Sequence, residues 1–376
     1  MYFLTLATLL FSYQAVAADA PKPFGLFNHS IIHAPVGKEQ MTYPRYAELA
    51  DGTLLATTWL EQGTGGKHFP VFESKDGGAH STHVSDLVDK VNGVGIAAHP
   101  FLSQLTEDLG DYKAGTIIAT FNSVYHNSTG AATILDLYIS TDRARSWNFV
   151  SQIATGGPKN TNAPVWEAFL LPYKGQLVAY YTDGRDAKHS QKLSHQTTTD
   201  LKNWGPVVDD VVYQNSTFRP GMSVIEYIPP LDQWILVYEL LTGVDSYGAN
   251  FPVWYVMAKS PLEFRNSVPR PIIVNKKTAP NACPYVAWSP VGGPNGTIVV
   301  TSTNKPVYTN SHGGAIDKWE EHDTPARSTY SRSIQIFKKF PDHLGIYEGD
   351  SADEWAKGPH VPYSFTVVSL RETLLK

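Results

Sequence analysis

Cysteine is almost absent from this chain of 376 residues, in which Cys283 is the only one. The chain can therefore form no internal disulfide, and its stability must come from a large hydrophobic core rather than from cross-links. We expect Cys283, which precedes Pro284, to be a buried small residue rather than a catalytic thiol. Methionine is also scarce, with 4 residues, which argues against an adaptable groove for partner helices.

Charge is sparse as well, since Asp, Glu, Lys and Arg together make up 17% of the residues. The 30 basic residues are outnumbered by 35 acidic ones, so the chain lacks the positive field that a nucleic-acid partner requires. Hydrophobic residues reach 42%, which is too many for a disordered chain. What the sequence has in excess is Tyr, Trp, Gly and Pro, with 20, 9, 29 and 26 residues. This mixture predicts a β-rich, turn-rich protein that presents aromatic rings to a ligand.

The first residues predict export. Residues 2–16 form a short apolar run, YFLTLATLLFSYQAV, followed by a small-x-small pattern that ends at Ala17. This pattern is typical of a secretory signal peptide, residues 1–17, with Ala20 as a second candidate cleavage position. The run is too short to span a bilayer, and no later stretch is apolar enough for a transmembrane helix, so we predict no membrane partner.

Four N-x-S/T sequons agree with secretion and are candidate positions for N-glycans. They are Asn28, Asn127, Asn215 and Asn295. We therefore expect a secreted, extracellular glycoprotein. Nothing in the sequence suggests more than a monomer.

Short β-branched or aromatic runs alternate with turn clusters along the whole chain after residue 23. Five similar runs begin at residues 53, 115, 176, 233 and 296, which are roughly 55 to 63 residues apart. A long period built only from strands is typical of a β-propeller, in which each repeat is one four-stranded antiparallel sheet. Residues 18–376 are therefore predicted to form a single all-β domain with six blades. The tail, residues 364–370, is expected to close the ring by pairing with a strand near residues 24–33.

A second, shorter repeat lies within this pattern. Residues 74–78 (SKDGG) and 140–147 (STDRARSW) resemble the Asp box, S-x-D-x-G-x-x-W, of sialidase-like propellers, and residues 198–204 (TTDLKNW) are a shortened relative. In this turn the Asp accepts backbone N–H groups, the Gly adopts a positive φ and the Trp packs into the blade. Ser81 replaces the Trp in the first copy, and Ala144 replaces the Gly in the second. These turns indicate the fold and not the chemistry.

Several kinds of active site are not encoded. The sequence contains no G-x-S-x-G elbow, no H-E-x-x-H metal motif, no P-loop and no G-x-G-x-x-G turn. His189 and His195 are six residues apart, which would place both on one face of a strand, but no third ligand is evident nearby. We therefore predict no metal site and no cofactor, and we expect these two histidines to lie on a hairpin that lines a groove.

Two carboxylates occupy apolar, strand-like segments. Glu167 lies in residues 163–172 (APVWEAFLLP), and Glu239 ends the run of residues 234–239 (WILVYE). Burial of a carboxylate is unfavourable unless the group is paired or functional. The 72 residues between them are a little more than one blade period, so neighbouring blades can bring both to the central axis. Hydrolysis of a glycosidic bond requires such a pair, one carboxyl as acid and the other as nucleophile or base. A structural role for each glutamate alone stays open.

Arginines that recur at roughly the spacing of the blades are candidates for the walls of this pocket, because a guanidinium keeps a neighbouring carboxylate ionised. They are Arg45, Arg185, Arg219 and Arg332. Taken alone, each is more often a surface arginine or part of a salt bridge. Arg219 lies between turn-forming residues just before a strand and has the best claim to the central pocket. Core packing explains the candidate sugar-stacking rings equally well, namely Trp59, Trp166, Trp254 and Tyr247.

At these positions the sequence resembles glycoside hydrolase family 93, the secreted exo-arabinanases, along nearly the whole mature chain. The resemblance is carried by Tyr43-Pro44-Arg45, Pro164-Val165-Trp166-Glu167, Asp183-Gly184-Arg185-Asp186, residues 189–193 (HSQKL), Arg219-Pro220-Gly221-Met222, Tyr238-Glu239 and Tyr330-Ser331-Arg332. It implies a sialidase-like six-bladed propeller. It also implies release of arabinobiose from the non-reducing end of linear α-1,5-L-arabinan, with retention of the anomeric configuration.

The same resemblance implies roles for individual residues. Glu167 would be the general acid/base and Glu239 the nucleophile, with their carboxyls about 5 to 5.5 Å apart. Tyr330 is expected close to this pair. The expected substrate-binding residues are Arg45, His99, Asp183, Arg185, Arg219, Tyr247, Tyr330 and Arg332. His99 departs from the family pattern, where we would expect a different polar residue, and this affects subsite detail more than the carboxyl pair.

Two other functions stay open. A sialidase would use a tyrosine nucleophile, an acid and three arginines that clamp a substrate carboxylate. The chain could supply such a set with Tyr330, Arg45, Arg219 and Arg332. Arabinan is neutral, however, and Glu239 within its apolar strand is better explained as a nucleophile. A non-catalytic carbohydrate-binding propeller would tend to repeat one aromatic site in each blade, whereas here the polar residues differ from blade to blade.

Overall fold

Almost all regular structure is β-strand, arranged as six four-stranded antiparallel sheets. The computed structural model describes residues 25–61, 68–93, 96–124, 132–157, 163–351 and 359–375, so the predicted signal peptide and Asn127 lie outside the described residues. Within those ranges, helix is limited to two 3-10 turns, Pro229–Leu231 and Phe264–Asn266, and to α1, Leu370–Thr373. No helix in the described part of the chain is long and apolar enough to cross a membrane.

The strands follow one another blade by blade. The N-terminal strand is β1, Phe27–His33. The first three blades are β2 Gln40–Glu48, β3 Leu54–Glu61, β4 Phe69–Ser74 and β5 Thr82–Leu87; β6 Ile96–Gln104, β7 Ile117–Val124, β8 Thr133–Ser140 and β9 Asn148–Gly156; and β10 Val165–Tyr173, β11 Gln176–Asp183, β12 Lys192–Thr198 and β13 Val208–Val211. The next two are β14 Arg219–Ile228, β15 Gln233–Leu241, β16 Val253–Ala258 and β17 Arg270–Pro271; and β18 Tyr285–Ser289, β19 Thr297–Thr301, β20 Val307–Asn310 and β21 Glu320–His322. The sixth blade contains β22 Ile334–Phe337, β23 Phe340–Glu348, β24 Tyr363–Ser369 and β1. The predicted six-bladed propeller is confirmed.

The ring is closed by strands from the two ends of the chain. β24 pairs with β1 in antiparallel fashion, so that Phe27 lies opposite Val367. The His29 N–H donates to Thr366 Oγ1 at 2.9 Å, which ties the junction further. The sixth blade is therefore complete only when both ends of the chain come together, and the sheet edges that remain are the short outer strands of the blades. The predicted pairing of the tail with a strand near residues 24–33 is confirmed.

Apolar side chains fill the space between neighbouring blades. Val237 and Tyr255 of the fourth blade pack in one buried cluster with Val286 and Val299 of the fifth. Each fully buried aliphatic or aromatic side chain contributes about 1.5–3 kcal/mol to folding. These layers therefore supply the stability that disulfides give to many small domains. Cys283 is buried, as predicted.

The Asp boxes form the turns between the third and fourth strands of three blades. In the second copy, Asp142 Oδ1 accepts the N–H groups of Arg145 and Ser146 at 3.1 and 2.9 Å. Ala144, which replaces the glycine of the motif, adopts a φ of 63°. Trp147 is buried. The turn therefore keeps its geometry although its sequence departs from the motif.

Candidate active site

Each blade carries a non-glycine residue with a positive φ on, or just before, its innermost strand, and the fifth blade has a second one, Ala282. Apart from Ala282, these residues are Tyr43 (53°), His99 (58°), Glu167 (61°), Met222 (57°), Cys283 (49°) and Ser331 (55°). In β2, β6, β10 and β14 the pairing register shifts at this residue, so the strand has a bulge there. A bulge bends the strand and redirects a side chain, and strain of this kind is found at functional sites. Its repetition around the ring collects side chains at one end of the central axis.

Glu167 is the bulged residue of β10, and two donors hold its carboxylate. Thr182 Oγ1 donates to Glu167 Oε2 at 2.8 Å, and the Met222 N–H donates to the same oxygen at 3.0 Å. Thr182 belongs to the neighbouring strand of the same blade, and Met222 belongs to the next blade. The other oxygen, Oε1, lies 4.0 Å from His99 Nε2, and the Glu167 side chain is 14% exposed. The carboxyl is therefore fixed in place and still reachable.

Asn122, a fully buried residue of β7, orients both Glu167 and His99. Its Oδ1 accepts the Glu167 N–H at 3.2 Å and bonds His99 Nδ1 at 3.0 Å. Its Nδ2 donates to Val165 O at 2.9 Å, which fixes the orientation of the amide. Because an amide oxygen only accepts, we assign the His99 proton to Nδ1. The other ring nitrogen of His99, Nε2, then faces Glu167 Oε1 at 4.0 Å.

Glu239 lies on β15, the second strand of the fourth blade. The Cys283 N–H donates to Glu239 Oε2 at 2.7 Å. Gly221 lies directly opposite Glu239 in the strand pair. A Cβ atom at Gly221 would lie 3.5 Å from Glu239 Oε1 and 3.1 Å from Gln191 Nε2. The missing side chain at Gly221 therefore leaves space beside the carboxyl.

The two carboxyls lie on either side of one peptide bond, which joins Gly221 to Met222. Gly221 pairs with Glu239, and the Met222 N–H binds Glu167. The structure thus brings both glutamates together from neighbouring blades. Their sequence separation exceeds one blade period because Glu167 lies on an innermost strand and Glu239 lies on a second strand. The individual roles of the two glutamates stay predictions.

The surroundings of Glu239 favour its protonated form. Burial, followed by the negative charge of Glu167, raises the pKa of Glu239 to about 7, although the Cys283 N–H and the Arg219 guanidinium act to lower it. Two neighbouring carboxyls do not both ionise easily, so the pair retains one proton near neutral pH, and its titration belongs to the pair. Such a pair offers one protonated and one ionised carboxyl at the same time, but the raised pKa places the proton on Glu239, the residue expected as nucleophile.

Tyr330 lies beside this pair. The Tyr43 N–H donates to Tyr330 O at 2.9 Å, and the two ring centroids are 6.3 Å apart. Burial raises the pKa of Tyr330 well above its usual range, and the charges of Glu167 and Glu239 add to the effect. Tyr330 is therefore a neutral phenol, which can donate a hydrogen bond to a ligand but is poorly prepared to act as a nucleophile.

Arg219 lies at the exposed start of β14. Its Nη2 donates to Gln191 Oε1 at 3.0 Å. Gln191 Nε2 in turn donates to Pro220 O at 2.7 Å, so the amide holds the guanidinium in a defined position. Arg219 is thus tied, through Gln191 and Pro220, to the strand segment that lies opposite Glu239.

Asp183 and Arg185 form a tight pair at the end of β11. Arg185 Nε and Nη2 donate to the two carboxylate oxygens of Asp183 at 2.9 and 2.7 Å, and Nη2 also donates to Tyr181 Oη at 2.8 Å. Asp183 is buried, while Arg185 is partly exposed. Since Asp183 follows Thr182, the pair lies next to the strand segment that supports Glu167.

Arg45 and Arg332 are buried, with 3% and 0% of their surface exposed. Arg45 donates to Ser331 O at 2.9 Å and to Ser331 Oγ at 2.8 Å. Arg332 donates to the backbone oxygens of Lys305 and Pro306 at 2.9 and 2.7 Å. These contacts give both arginines a structural role between blades, which differs from the predicted contact with substrate. Two of the three arginines of a sialidase-like clamp are thus engaged with the protein itself.

Aromatic rings surround His99. The ring centroids of Tyr43, Trp59 and Trp166 lie 5.0, 5.7 and 5.7 Å from that of His99, each with an edge-on orientation. Trp59 and Trp166 are therefore near Glu167, as a sugar-stacking role requires. Tyr247 lies in the loop after β15 and is 41% exposed, so it lies at the surface rather than in the core.

His189 and His195 do not share a site. His195 is buried and its Nδ1 lies 2.9 Å from Asp210 Oδ1, whereas His189 Nδ1 lies 3.0 Å from Asp186 Oδ2. His195 thus does not line a groove, in contrast to the sequence-based expectation. Among the described residues, no group of three or more His, Cys, Asp or Glu side chains is arranged to hold a metal ion.

Two residues that position Glu167 were not predicted, namely Thr182 and Asn122. Both are buried polar residues within apolar strands. That is the signal which identified the two glutamates, and it would have found Asn122 in residues 117–124 (IIATFNSV) if it had been applied to amides.

The chain matches no protein-family model and no curated protein sequence. It does match solved structures. One is the GH93 α-L-arabinofuranosidase of Fusarium graminearum in complex with arabinobiose, with 38% identity, a TM-score of 0.87, and coverage of 93% of this chain and 99% of that chain. Another is the α-L-arabinanase of Penicillium chrysogenum complexed with arabinobiose, with 34% identity, a TM-score of 0.85, and coverage of 93% and 100%.

More distant propellers share the architecture alone. The NanB sialidase of Streptococcus pneumoniae matches 95% of this chain and 72% of its own, with 9% identity and a TM-score of 0.56. That likeness concerns the fold. The two fungal enzymes are related far more closely, and over nearly the full length of both chains. On this evidence the chain belongs to glycoside hydrolase family 93.

Proposed function

We propose that this glycoside hydrolase releases arabinobiose from the non-reducing ends of linear α-1,5-L-arabinan and retains the anomeric configuration. The observation that carries the proposal is the pair of glutamates on either side of the Gly221–Met222 peptide. Support comes from the two related structures that hold arabinobiose. Two carboxyls are sufficient for this chemistry, so the proposal needs no metal and no cofactor.

In the proposed first step, Glu239 attacks the anomeric carbon while Glu167 gives its proton to the departing glycosidic oxygen. The carbon–oxygen bond to the remaining arabinan breaks, and a glycosyl ester forms on Glu239. In the second step Glu167, now ionised, takes a proton from water, and the hydroxyl oxygen displaces Glu239. Both groups return to their starting states, and two inversions give net retention.

The hydrogen bonds fit these roles. Both carboxyls use Oε2 for a backbone donor, from Met222 for Glu167 and from Cys283 for Glu239. The second oxygen of each carboxyl is Oε1. That of Glu239 borders the space over Gly221. The proposed first step requires Glu239 in its ionised form, because only the carboxylate can attack the anomeric carbon.

The proposal is tested by incubating the purified protein with linear arabinan and following the products by NMR. We expect arabinobiose from the first turnovers, initially as the α-anomer. Longer oligosaccharides would contradict exo action, and a β-anomer would contradict retention. Cleavage of sialosides without cleavage of arabinan would favour the sialidase alternative.

We also propose that the protein is secreted and glycosylated. The apolar run of residues 2–16 supports export, with cleavage after Ala17 or Ala20. Asn28 and Asn215 are exposed on the surface of the propeller, and Asn295 is partly exposed, so a glycan could be accommodated there.

Thr182→Val should reduce kcat/KM for arabinan by about 10- to 100-fold. Valine keeps the shape of the side chain but removes the hydroxyl that donates to Glu167 Oε2 at 2.8 Å. A hydrogen bond to a charged group is worth about 1.5–3 kcal/mol. Thr182→Ser, which keeps the donor, is the matched control and should stay within a few-fold of wild type. Steady-state kinetics on both variants measure the difference, and equal rates would mean that this bond does not support the reaction.

The fall in kcat/KM at alkaline pH should follow the loss of the proton that the glutamate pair retains. Since the pKa of Glu239 is raised to about 7, kcat/KM should fall above about pH 7 as that proton is lost. The Arg219 guanidinium lowers this pKa, so Arg219→Gln should move the alkaline limb to higher pH, whatever it does to KM. Arg371→Gln, at an exposed position on α1, should leave the limb unchanged. An unmoved limb in Arg219→Gln would show that the arginine does not act on the pair.

A further inference from the structure

A second cavity lies at the other end of the propeller axis. It has a volume of about 740 Å³, and all six blades contribute to its wall. On each strand that has a bulge, the residues that line this cavity follow the bulge in the sequence. On β2, for example, Tyr46 lines the cavity, whereas Tyr43, at the bulge, belongs to the active site. Arg45 separates the two spaces, since its guanidinium carbon lies 3.7 Å from the Tyr43 ring centroid and 5.3 Å from that of Tyr285 in the cavity wall. We call this space the rear cavity, and its size suits a small molecule.

Glu226, on β14, contributes a carboxylate to the wall of the rear cavity. Its Oε1 accepts the N–H of Tyr227 at 2.9 Å. Among the described residues, no cation pairs with this carboxylate. Burial raises the pKa of Glu226 to about 7, as expected for a carboxyl in apolar surroundings without a compensating charge. The wall therefore holds an acidic group whose charge is not balanced by the protein.

Several other polar groups of the wall already have partners. The Glu48 carboxylate accepts the Lys338 N–H at 3.2 Å and Gln335 Nε2 at 3.1 Å, while Lys338 Nζ donates to Glu48 O at 3.1 Å. Trp288 Nε1 donates to Asn295 O at 2.9 Å. A sugar needs many hydrogen-bond partners, so the rear cavity is poorly equipped to bind one. It is better equipped for a ligand that needs one anionic partner.

Aromatic rings form much of the remaining wall. Tyr46 and Tyr285 come from two other blades, and their ring centroids are 6.2 Å apart. Burial, with a contribution from the charge of Glu226, raises the pKa of both tyrosines, so their hydroxyl groups stay protonated and the side chains stay neutral. Phe101 and Phe169 add further rings, with centroids 4.7 Å apart. Aromatic faces attract cations, most strongly where water is excluded.

We propose that the rear cavity binds an organic ammonium ion, whose charge pairs with Glu226 and whose apolar part packs against these rings. The charge of the site and the nature of its wall are complementary to such a ligand. This site is separate from the glutamate pair, so it can be occupied while arabinan is bound.

The test uses benzyltrimethylammonium as the probe, in isothermal titration calorimetry at pH 8, where Glu226 is ionised. Benzenesulfonate, an aromatic ion of opposite charge, is the comparison ligand. We expect one cation to bind per chain. Its affinity for Glu226→Gln should be at least about tenfold lower than for wild type, and benzenesulfonate should bind to wild type more weakly than the cation by a similar factor. Glu321→Gln, on the exposed strand β21, is the matched control and should bind like wild type.

The location is tested with a second pair of measurements. Binding should persist in Glu239→Gln, because the cation does not use the active-site carboxyls. Glu226→Gln should keep the arabinan activity of the wild type, which also shows that it folds. Equal binding to Glu226→Gln and wild type, equal binding of both probe ions, or loss of binding in Glu239→Gln would each overturn the proposal.

Discussion

Glu239→Gln should abolish arabinan hydrolysis, with kcat at least about 10,000-fold below that of wild type. Glutamine can still accept the Cys283 N–H that holds Glu239 Oε2 at 2.7 Å, so the strand geometry is kept. Its amide cannot attack the anomeric carbon, and no glycosyl ester can form. Release of arabinobiose from linear arabinan, measured over long incubations, gives the residual rate. Activity near that of wild type would refute the nucleophilic role.

The same substitution should not weaken the fold, which separates loss of chemistry from loss of structure. The pKa of Glu239 is raised from 4.5 to about 7 in the folded chain. Its ionisation therefore opposes folding, beginning above about pH 4.5 and reaching its full extent above about pH 7. Neutral glutamine removes this cost, so Tm at pH 8 should equal or exceed that of wild type. Glu321→Gln, an exposed carboxyl on β21, should leave both Tm and kcat unchanged.

The repeat could be predicted because the second strands of five blades are buried on both faces and read as continuous apolar runs. These are β3, β7, β11, β15 and β19, which coincide with the five runs in the sequence. The second strand of the sixth blade, β23, is not predicted by such a run. Its first residues, from Phe340 to His343, are only partly buried and include a proline and an aspartate. The number of blades followed from chain length instead.

The bulges around the axis could not be predicted. A positive φ at Glu167 or His99 has no local signature, since neither residue is glycine. Tyr43, His99 and Cys283 each precede a proline, and that position normally favours extended backbone. The bulges are imposed by tertiary contacts instead, such as the bond from the Glu167 N–H to Asn122.

The arginines show a second limit of the sequence. Arg219 and Arg332 both lie near the start of an innermost strand, yet one is exposed and the other is buried. What separates them is the loop that each one meets. Arg332 donates to the oxygens of Lys305 and Pro306, which come from the preceding blade. A linear pattern carries no information about such contacts between blades.

Glu167→Ala should slow arabinan hydrolysis by about 100- to 10,000-fold, because the departing sugar oxygen then receives no proton. An aryl α-arabinobioside with a nitrophenolate leaving group needs no such proton, so its first bond should still break quickly. The variant should then stop at the glycosyl ester on Glu239, since no base is left to activate water. A rapid burst of nitrophenolate followed by a slow steady state is the expected time course.

Azide tests whether the two glutamates have been assigned in the correct order. In Glu167→Ala, azide needs no base and should attack the ester on Glu239, which restores turnover and gives the α-configured arabinobiosyl azide. In Glu239→Ala, azide can only replace the missing nucleophile, and it should give the β-configured product with Glu167 still acting as acid. The configuration of the azide, read by NMR, therefore identifies the residue that was removed. An α-azide from Glu239→Ala together with a β-azide from Glu167→Ala would reverse the assignment, and the raised pKa of Glu239 would then mark it as the acid.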